Sequence, residues 1–173
     1  MSMKLKLLLA VFCVVAATVL AAPPQVGDSA PPFVGTNQLG EAVKLLDLTT
    51  NKNVLLYFYP KDGSPGCTAE ACGLRDRMAE LQAANVEVIG VSLDSMESHK
   101  NFIAANQLNF TLLADPDGKI ATAYDAKNPA LNMAKRVTFL IGTGGKIVHV
   151  TVGGNPQTHL DDLTAALAAL KKP

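Results

Sequence analysis

Two cysteines, Cys67 and Cys72, stand five residues apart in the segment Tyr57 to Asp76, YFYPKDGSPGCTAEACGLRD. Cys67 follows an apolar run and a loop rich in proline and glycine, and it opens a helical pattern. A thiol placed there meets unpaired backbone N–H groups and the positive end of the helix dipole, both of which favour its ionised form. The thiolate is the nucleophilic state of cysteine. Five residues along an intact helix separate Cα atoms by about 8–9 Å and turn the side chains about 140° apart. A disulfide needs Cα atoms within about 7 Å. A Cys67–Cys72 bond therefore requires that the helix be absent or that its first turns unwind. A bond of that kind is a poor staple and a workable catalytic intermediate, because reducing it lets the helix reform.

Two plainer readings compete. A structural disulfide is the ordinary use of two cysteines in an exported chain, and the spacing argues against it. A metal site needs more ligands than two thiolates, and no histidine lies nearby in sequence. His99 falls within a helical pattern, His149 in a strand and His159 in the first turn of the last helix, each expected at or near the surface. No metal and no cofactor are expected. The Cys-x-x-Cys spacing of dithiol redox motifs is absent.

The elements that must position the pair follow from periodicity. Pro31 to Val43 is punctuated by glycine and suits a short hairpin. Val54 to Tyr59 is continuous and apolar, as a buried central strand requires. A helix is predicted from Cys67 to about Ala84, with Ala71, Leu74, Met78 and Leu81 on one face. Val86 to Val91 is a second buried strand, and Asp94 with Glu97 forms a capping pair for a helix through about Asn106. Phe110 to Leu113, a short helix over Lys119 to Tyr124, and strands Arg136 to Ile141 and Lys146 to Val152 follow, the last two joined by a Gly142–Gly145 turn. Asn155 caps a final helix with Pro156 in its first turn and the stripe Leu160, Leu163, Leu167 and Leu170. The order predicts one α/β domain of thioredoxin-like type, a central mixed sheet flanked by helices with an N-terminal β-hairpin extension.

The N-terminus has a different character. Leu7 to Ala22, LLLAVFCVVAATVLAA, carries no charge, follows Lys4 and Lys6, and precedes Pro23 and Pro24. A positive start, a short apolar core and a small-residue exit describe a signal peptide over residues 1–21, cleaved after Ala21, with Ala22 as the alternative point. The run is short for a membrane span. Removing residues 1–21 from the 173 leaves 152, residues 22–173, with 13 basic against 15 acidic side chains. Cys13 leaves with the leader, so three cysteines become two. The charge balance excludes nucleic acid or an anionic membrane as partner. Over the whole chain, 49% hydrophobic and 17% charged residues exclude a disordered polyelectrolyte. The expected location is outside the cytoplasm, most simply the periplasm, with secretion as the alternative.

The central segment resembles the active site of peroxiredoxins, in particular the peroxiredoxin Q or bacterioferritin comigratory protein subfamily. The family's Pro-x-x-x-Thr/Ser-x-x-Cys is matched by Pro60, Ser64 and Cys67, and the subfamily's second cysteine by Cys72. The resemblance extends to GVSLD at 90–94, NFTLLADPDGKIA at 109–121 and RVTFLI at 136–141. It implies a peroxidatic role for Cys67, whose thiolate attacks a hydroperoxide and becomes a sulfenic acid, and a resolving role for Cys72. It assigns Ser64 a hydrogen bond to the thiolate, Pro60 a shielding role, and Arg136 a fixed positive charge beside the sulfur. Lys135 and Arg75 are competing cations, and Glu70, Arg75 and Asp76 are expected on the helix surface. The implied partners are a hydroperoxide and a thioredoxin-like or other dithiol protein reductant, with a monomer as the expected assembly. Rival functions are an exported thiol–disulfide oxidoreductase acting on protein disulfides and a non-enzymatic module held by a bridge or a metal.

Overall fold

A computed structural model describes residues 22–170; the expected leader, with Cys13, and Lys171-Lys172 lie outside the described residues. The chain runs β1 (Val34–Asn37), β2 (Ala42–Lys44), α1 (Leu45–Thr49), β3 (Asn53–Phe58), α2 (Pro65–Asp76), α3 (Met78–Ala83), β4 (Val86–Ser92), α4 (Met96–Asn106), β5 (Thr111–Ala114), α5 (Lys119–Ala123), β6 (Val137–Ile141), β7 (Ile147–Val152) and α6 (Pro156–Ala169). Seven strands form one sheet in the order β2-β1-β5-β4-β3-β6-β7. β3 pairs parallel to β4 and β4 parallel to β5, while β6 pairs antiparallel to β3 and β7 antiparallel to β6. The sheet is mixed, and the N-terminal hairpin extends it by pairing β1 against β5.

β3 is buried on both faces, which its continuous apolar sequence requires. Val54, Leu56 and Phe58 join one core with Leu45, Ile120 and Tyr124. Leu55 and Tyr57 face the other, with Cys67, Leu74, Phe102 and Leu163 from α2, α4 and α6. The period of two along one strand thus puts the two helical layers on opposite sides and assigns the cysteines to the α2–α4–α6 side.

Two local expectations change, and one element is new. The helix predicted from Cys67 to about Ala84 begins at Pro65 and breaks at Arg77, whose φ of −97° and ψ of 9° separate α2 from α3. Arg77 ties the break to α6 by donating from Nη1 to the Leu160 carbonyl at 2.6 Å and from Nη2 to Thr164 Oγ1 at 3.2 Å. The cap of α4 is Ser95, whose hydroxyl accepts from Ser98 N–H, not Asp94. Asp94 is engaged elsewhere, accepting from Ser92 Oγ at 2.8 Å and from Asp62 N–H at 2.9 Å. The five-residue α1 after the hairpin carries too few turns for a periodic signal. The Asn155 cap and first-turn Pro156 of α6 stand as expected.

Candidate active site

β3 ends at Phe58, and Tyr59 and Pro60 lead into the loop that starts α2. Ser64 is the N-cap position and Cys67 the third residue of the helix. Cys67 is 1% exposed. Because Phe58 pairs with Val137 in the antiparallel β3–β6 ladder, Arg136 stands at the end of the sheet where the loop departs. Its guanidinium is buried and donates in three directions. Nη2 lies 3.3 Å from Cys67 Sγ, Nη1 contacts the Glu70 carboxylate, and Nε donates to the Gly154 carbonyl at 3.1 Å. The guanidinium spreads its donors over three nitrogens and so meets three separated acceptors at once, whereas the three donors of a lysine share one nitrogen.

The competing cations are elsewhere. Lys135 pairs with Asp125 at 3.1 Å. Arg75 bonds Asp76 and donates from Nη1 to the Asn106 carbonyl at 2.6 Å. That carbonyl lies at the end of α4, next to half-buried Cys72, whose Sγ is 3.9 Å from Asn106 Oδ1. Cys67 and Cys72 are both free and both on the continuous α2. Ser64 and Pro60 are half-buried. The Ser64 hydroxyl donates to the Lys61 carbonyl at 3.1 Å, while its own carbonyl accepts from Thr68 N–H at 2.9 Å.

Glu70 corrects the expectation of a helix-surface residue: it is 1% exposed. The signal was available, since Cys67, Glu70, Ala71 and Leu74 follow the i, i+3, i+4, i+7 spacing of one buried face. Burial pushes its carboxyl up to about 7, against the lowering pull of Arg136. Two potential anions, Cys67 and Glu70, therefore share one buried cation.

His159 and His99 are buried as well, not at the surface. His159 Nε2 donates to the Gly153 carbonyl at 3.0 Å, so its Nδ1 accepts from Thr138 Oγ1 at 2.8 Å. The ring is neutral, held so chiefly by burial, which moves its pKa down. Its 3.8 Å approach to Glu70 is accordingly not an ion pair. Among the described residues no group of three or more potential ligands could hold a metal, and no helix is long and apolar enough to cross a membrane.

Residues 26–150 match the AhpC/TSA family. The chain belongs to that family. Within it the chain is 42% identical to peroxiredoxin Bcp of Escherichia coli K12 over 145 residues, covering 80% of this chain and 92% of the relative. The fold superposes on peroxidoxin BcpB of Mycobacterium tuberculosis with a TM-score of 0.80 at 30% identity, covering 86% of this chain and 99% of the other. It superposes on the bacterioferritin comigratory protein of Xanthomonas campestris, a structure bearing on that protein's alkyl peroxide reduction activity. That match has a TM-score of 0.74 at 29% identity and covers 81% and 92% of the two chains. The thioredoxin-like architecture of the AhpC/TSA family is thus the architecture of this chain, and its Bcp and peroxiredoxin Q branch supplies the relatives.

Proposed function

We propose that the chain is a thiol-dependent peroxidase for hydrogen peroxide and small organic hydroperoxides, recycled by a dithiol protein. The observation that carries this is the Arg136 guanidinium 3.3 Å from the sulfur of Cys67 at the start of a helix. The thiolate attacks the O–O bond and takes one oxygen as a sulfenic acid, and the other oxygen leaves as water or an alcohol after gaining a proton. The fixed charge of Arg136 and the N–H groups of the first helical turn face the negative charge that develops on those oxygens. The thiol of Cys72 then condenses with the sulfenic acid, forming the Cys67–Cys72 disulfide and releasing water. Exchange with a dithiol restores both thiols and leaves the reductant as a disulfide. In sum, one hydroperoxide, two electrons and two protons give one alcohol and one water.

Reduction of protein disulfides is the weaker reading, because a sulfur that is 1% exposed offers no access to a bulky disulfide partner. Peroxide consumption with a thiol reductant tests the peroxidase. Cys67→Ser is expected to abolish it. Cys72→Ser is expected to allow one turnover and stop before a disulfide, and activity that survives Cys67→Ser refutes the proposal. We further propose export, with residues 1–21 removed and residues 22–173 acting as a monomer in the periplasm. The apolar leader and its small-residue exit support this. The mass of the protein recovered from the periplasmic fraction and its sedimentation test both points.

A further inference from the structure

A buried hydrogen-bonded cluster outside the sulfur chemistry joins the catalytic loop to α4. Asp62, five residues before Cys67, has a carboxylate that accepts from Tyr59 Oη at 2.7 Å, Ser98 Oγ at 2.7 Å and His99 Nδ1 at 2.8 Å. Its backbone N–H donates to Asp94 Oδ2 at 2.9 Å. The His99 side chain is 0% exposed and that of Asp62 6%. On the far side of the ring, Nε2 lies 3.1 Å from the Leu113 carbonyl, which can only accept. The ring is thus clamped at both nitrogens, by the loop on one side and by β5 on the other. Burial works against the charged form of Asp62, yet the hydrogen bonds from His99, Ser98 and Tyr59 hold its carboxyl below the usual range.

A buried polar contact contributes only modestly to net stability once desolvation is counted, so its placement is the informative property. The next residue, Gly63, has φ of +69° with open space around it, a backbone state that costs glycine nothing and other residues more. Past this hinge begins α2, which must unwind for Cys67 to reach Cys72. At its other end, Arg75 and Cys72 meet Asn106, the last residue of α4. One helix therefore holds both ends of the segment that rearranges: its first turn grips Asp62, and its last residue meets Arg75 and Cys72.

We propose that Asp62 and His99 are positioning residues that fix the near end of the catalytic segment, so that they set the balance between the seated, peroxide-reactive α2 and the unwound, disulfide-forming one. The inference rests on the Cys67–Cys72 cycle proposed above. A reaction that needs the seated state proceeds in proportion to its population, and disulfide formation in proportion to the unwound one. A second hydroperoxide that reaches the seated sulfenic acid oxidises it to sulfinic acid and leaves as water or an alcohol. A loosened latch therefore protects Cys67 from this dead end while slowing its first reaction.

The test compares Asp62→Asn and the milder Ser98→Ala with the parent, using hydrogen peroxide. Stopped flow gives the rate of Cys67 oxidation and the rate of disulfide formation, and mass spectrometry gives the peroxide concentration for half-conversion to sulfinic acid. Loss of a charge-assisted hydrogen bond corresponds to a shift on the order of tenfold. Asp62→Asn is expected to slow the peroxide reaction and speed disulfide formation so that the ratio of the two rates changes by that order, the factor being shared because the two populations sum to one, and to raise the half-conversion concentration. Ser98→Ala moves all three the same way by less, and carries the test alone if Asp62→Asn does not fold. A merely structural role lowers the unfolding midpoint and leaves the ratio of the two rates unchanged. That outcome, or a slower peroxide step without a faster disulfide step, overturns the latch. A parent protein that forms no Cys67–Cys72 disulfide overturns the cycle itself, which the mass of the oxidised parent reads separately.

Discussion

Glu70→Gln keeps the shape of the side chain that shares Arg136 with Cys67 and removes its charge. The Glu70 carboxyl is pushed up from 4.5 to about 7 because it is buried, the Arg136 ion pair notwithstanding. At about 1.4 kcal/mol per pH unit, that gap amounts to about 3 kcal/mol. The folded protein holds this proton more tightly than the unfolded chain does. Its contribution to stability is therefore fully present below about pH 4.5 and is lost as the pH rises through about 7. Glutamine has no proton to lose. Urea unfolding of the reduced proteins, followed by circular dichroism at steps from about pH 4.5 to about pH 8, reads the difference, and groups that do not touch Glu70 or Arg136 cancel in it. The difference in stability is expected to shift toward the glutamine variant by about 3 kcal/mol across that window. With a urea dependence of about 2 kcal/mol per molar, this is a relative midpoint shift of about 1.5 M. A difference that stays flat shows that Glu70 ionises as a surface carboxyl does. One that grows in favour of the parent as pH rises shows that the Arg136 pair outweighs burial. Either result refutes the reasoning.

Two other predictions concern neighbours of that pair. Arg136→Lys keeps a positive charge but cannot reach Cys67, Glu70 and the Gly154 carbonyl together. The second-order rate of Cys67 with hydrogen peroxide is expected to fall on the order of tenfold to a hundredfold, and an unchanged stopped-flow rate sinks the assignment. Gly73→Ala gains about 1 kcal/mol in helix propensity, but a Cβ there meets Leu160 Cδ1 at 2.4 Å and Cδ2 at 2.8 Å. Overpacking costs about 1–3 kcal/mol, so the urea midpoint should fall, and Leu160→Ala in the same chain should recover part of the loss; a rise in stability contradicts the close α2–α6 approach.

The sequence revealed whatever repeated along the chain or sat in consecutive residues. Val54 to Tyr59 announced a doubly buried strand because every residue in it is apolar, and the Cys67 position followed from a strand, a loop and a helix start. Glu70 and His99 escape because a polar or charged side chain reads as a sign of the surface, although each lies on its helix's buried face: Glu70 with Cys67 and Leu74, His99 with Phe102. What makes their burial tolerable, Arg136 for one and Asp62 for the other, lies 66 and 37 residues away along the chain. The break at Arg77 was illegible for a similar reason. No glycine or proline marks it, and the groups its side chain bonds on α6 lie more than eighty residues ahead. Asp94 and Ser95 are equally good caps by composition, and the choice between them is made by the Ser92 hydroxyl and the Asp62 amide.

Arg136 belongs to the sheet and not to the helix it serves. Its backbone leads into β6 and its Nε is pinned to the Gly154 carbonyl ahead of α6, so nothing ties it to α2 except the two anions it faces. When Cys67 departs to join Cys72, the cation stays behind. Activation is then a property of an address and not of the sulfur itself: the docked sulfur meets the cation as the nucleophile, and the sulfenic acid that leaves for Cys72 is the electrophile and does without it. The positive charge is thus kept for the first step alone, and it stands in place for the thiol that returns after reduction.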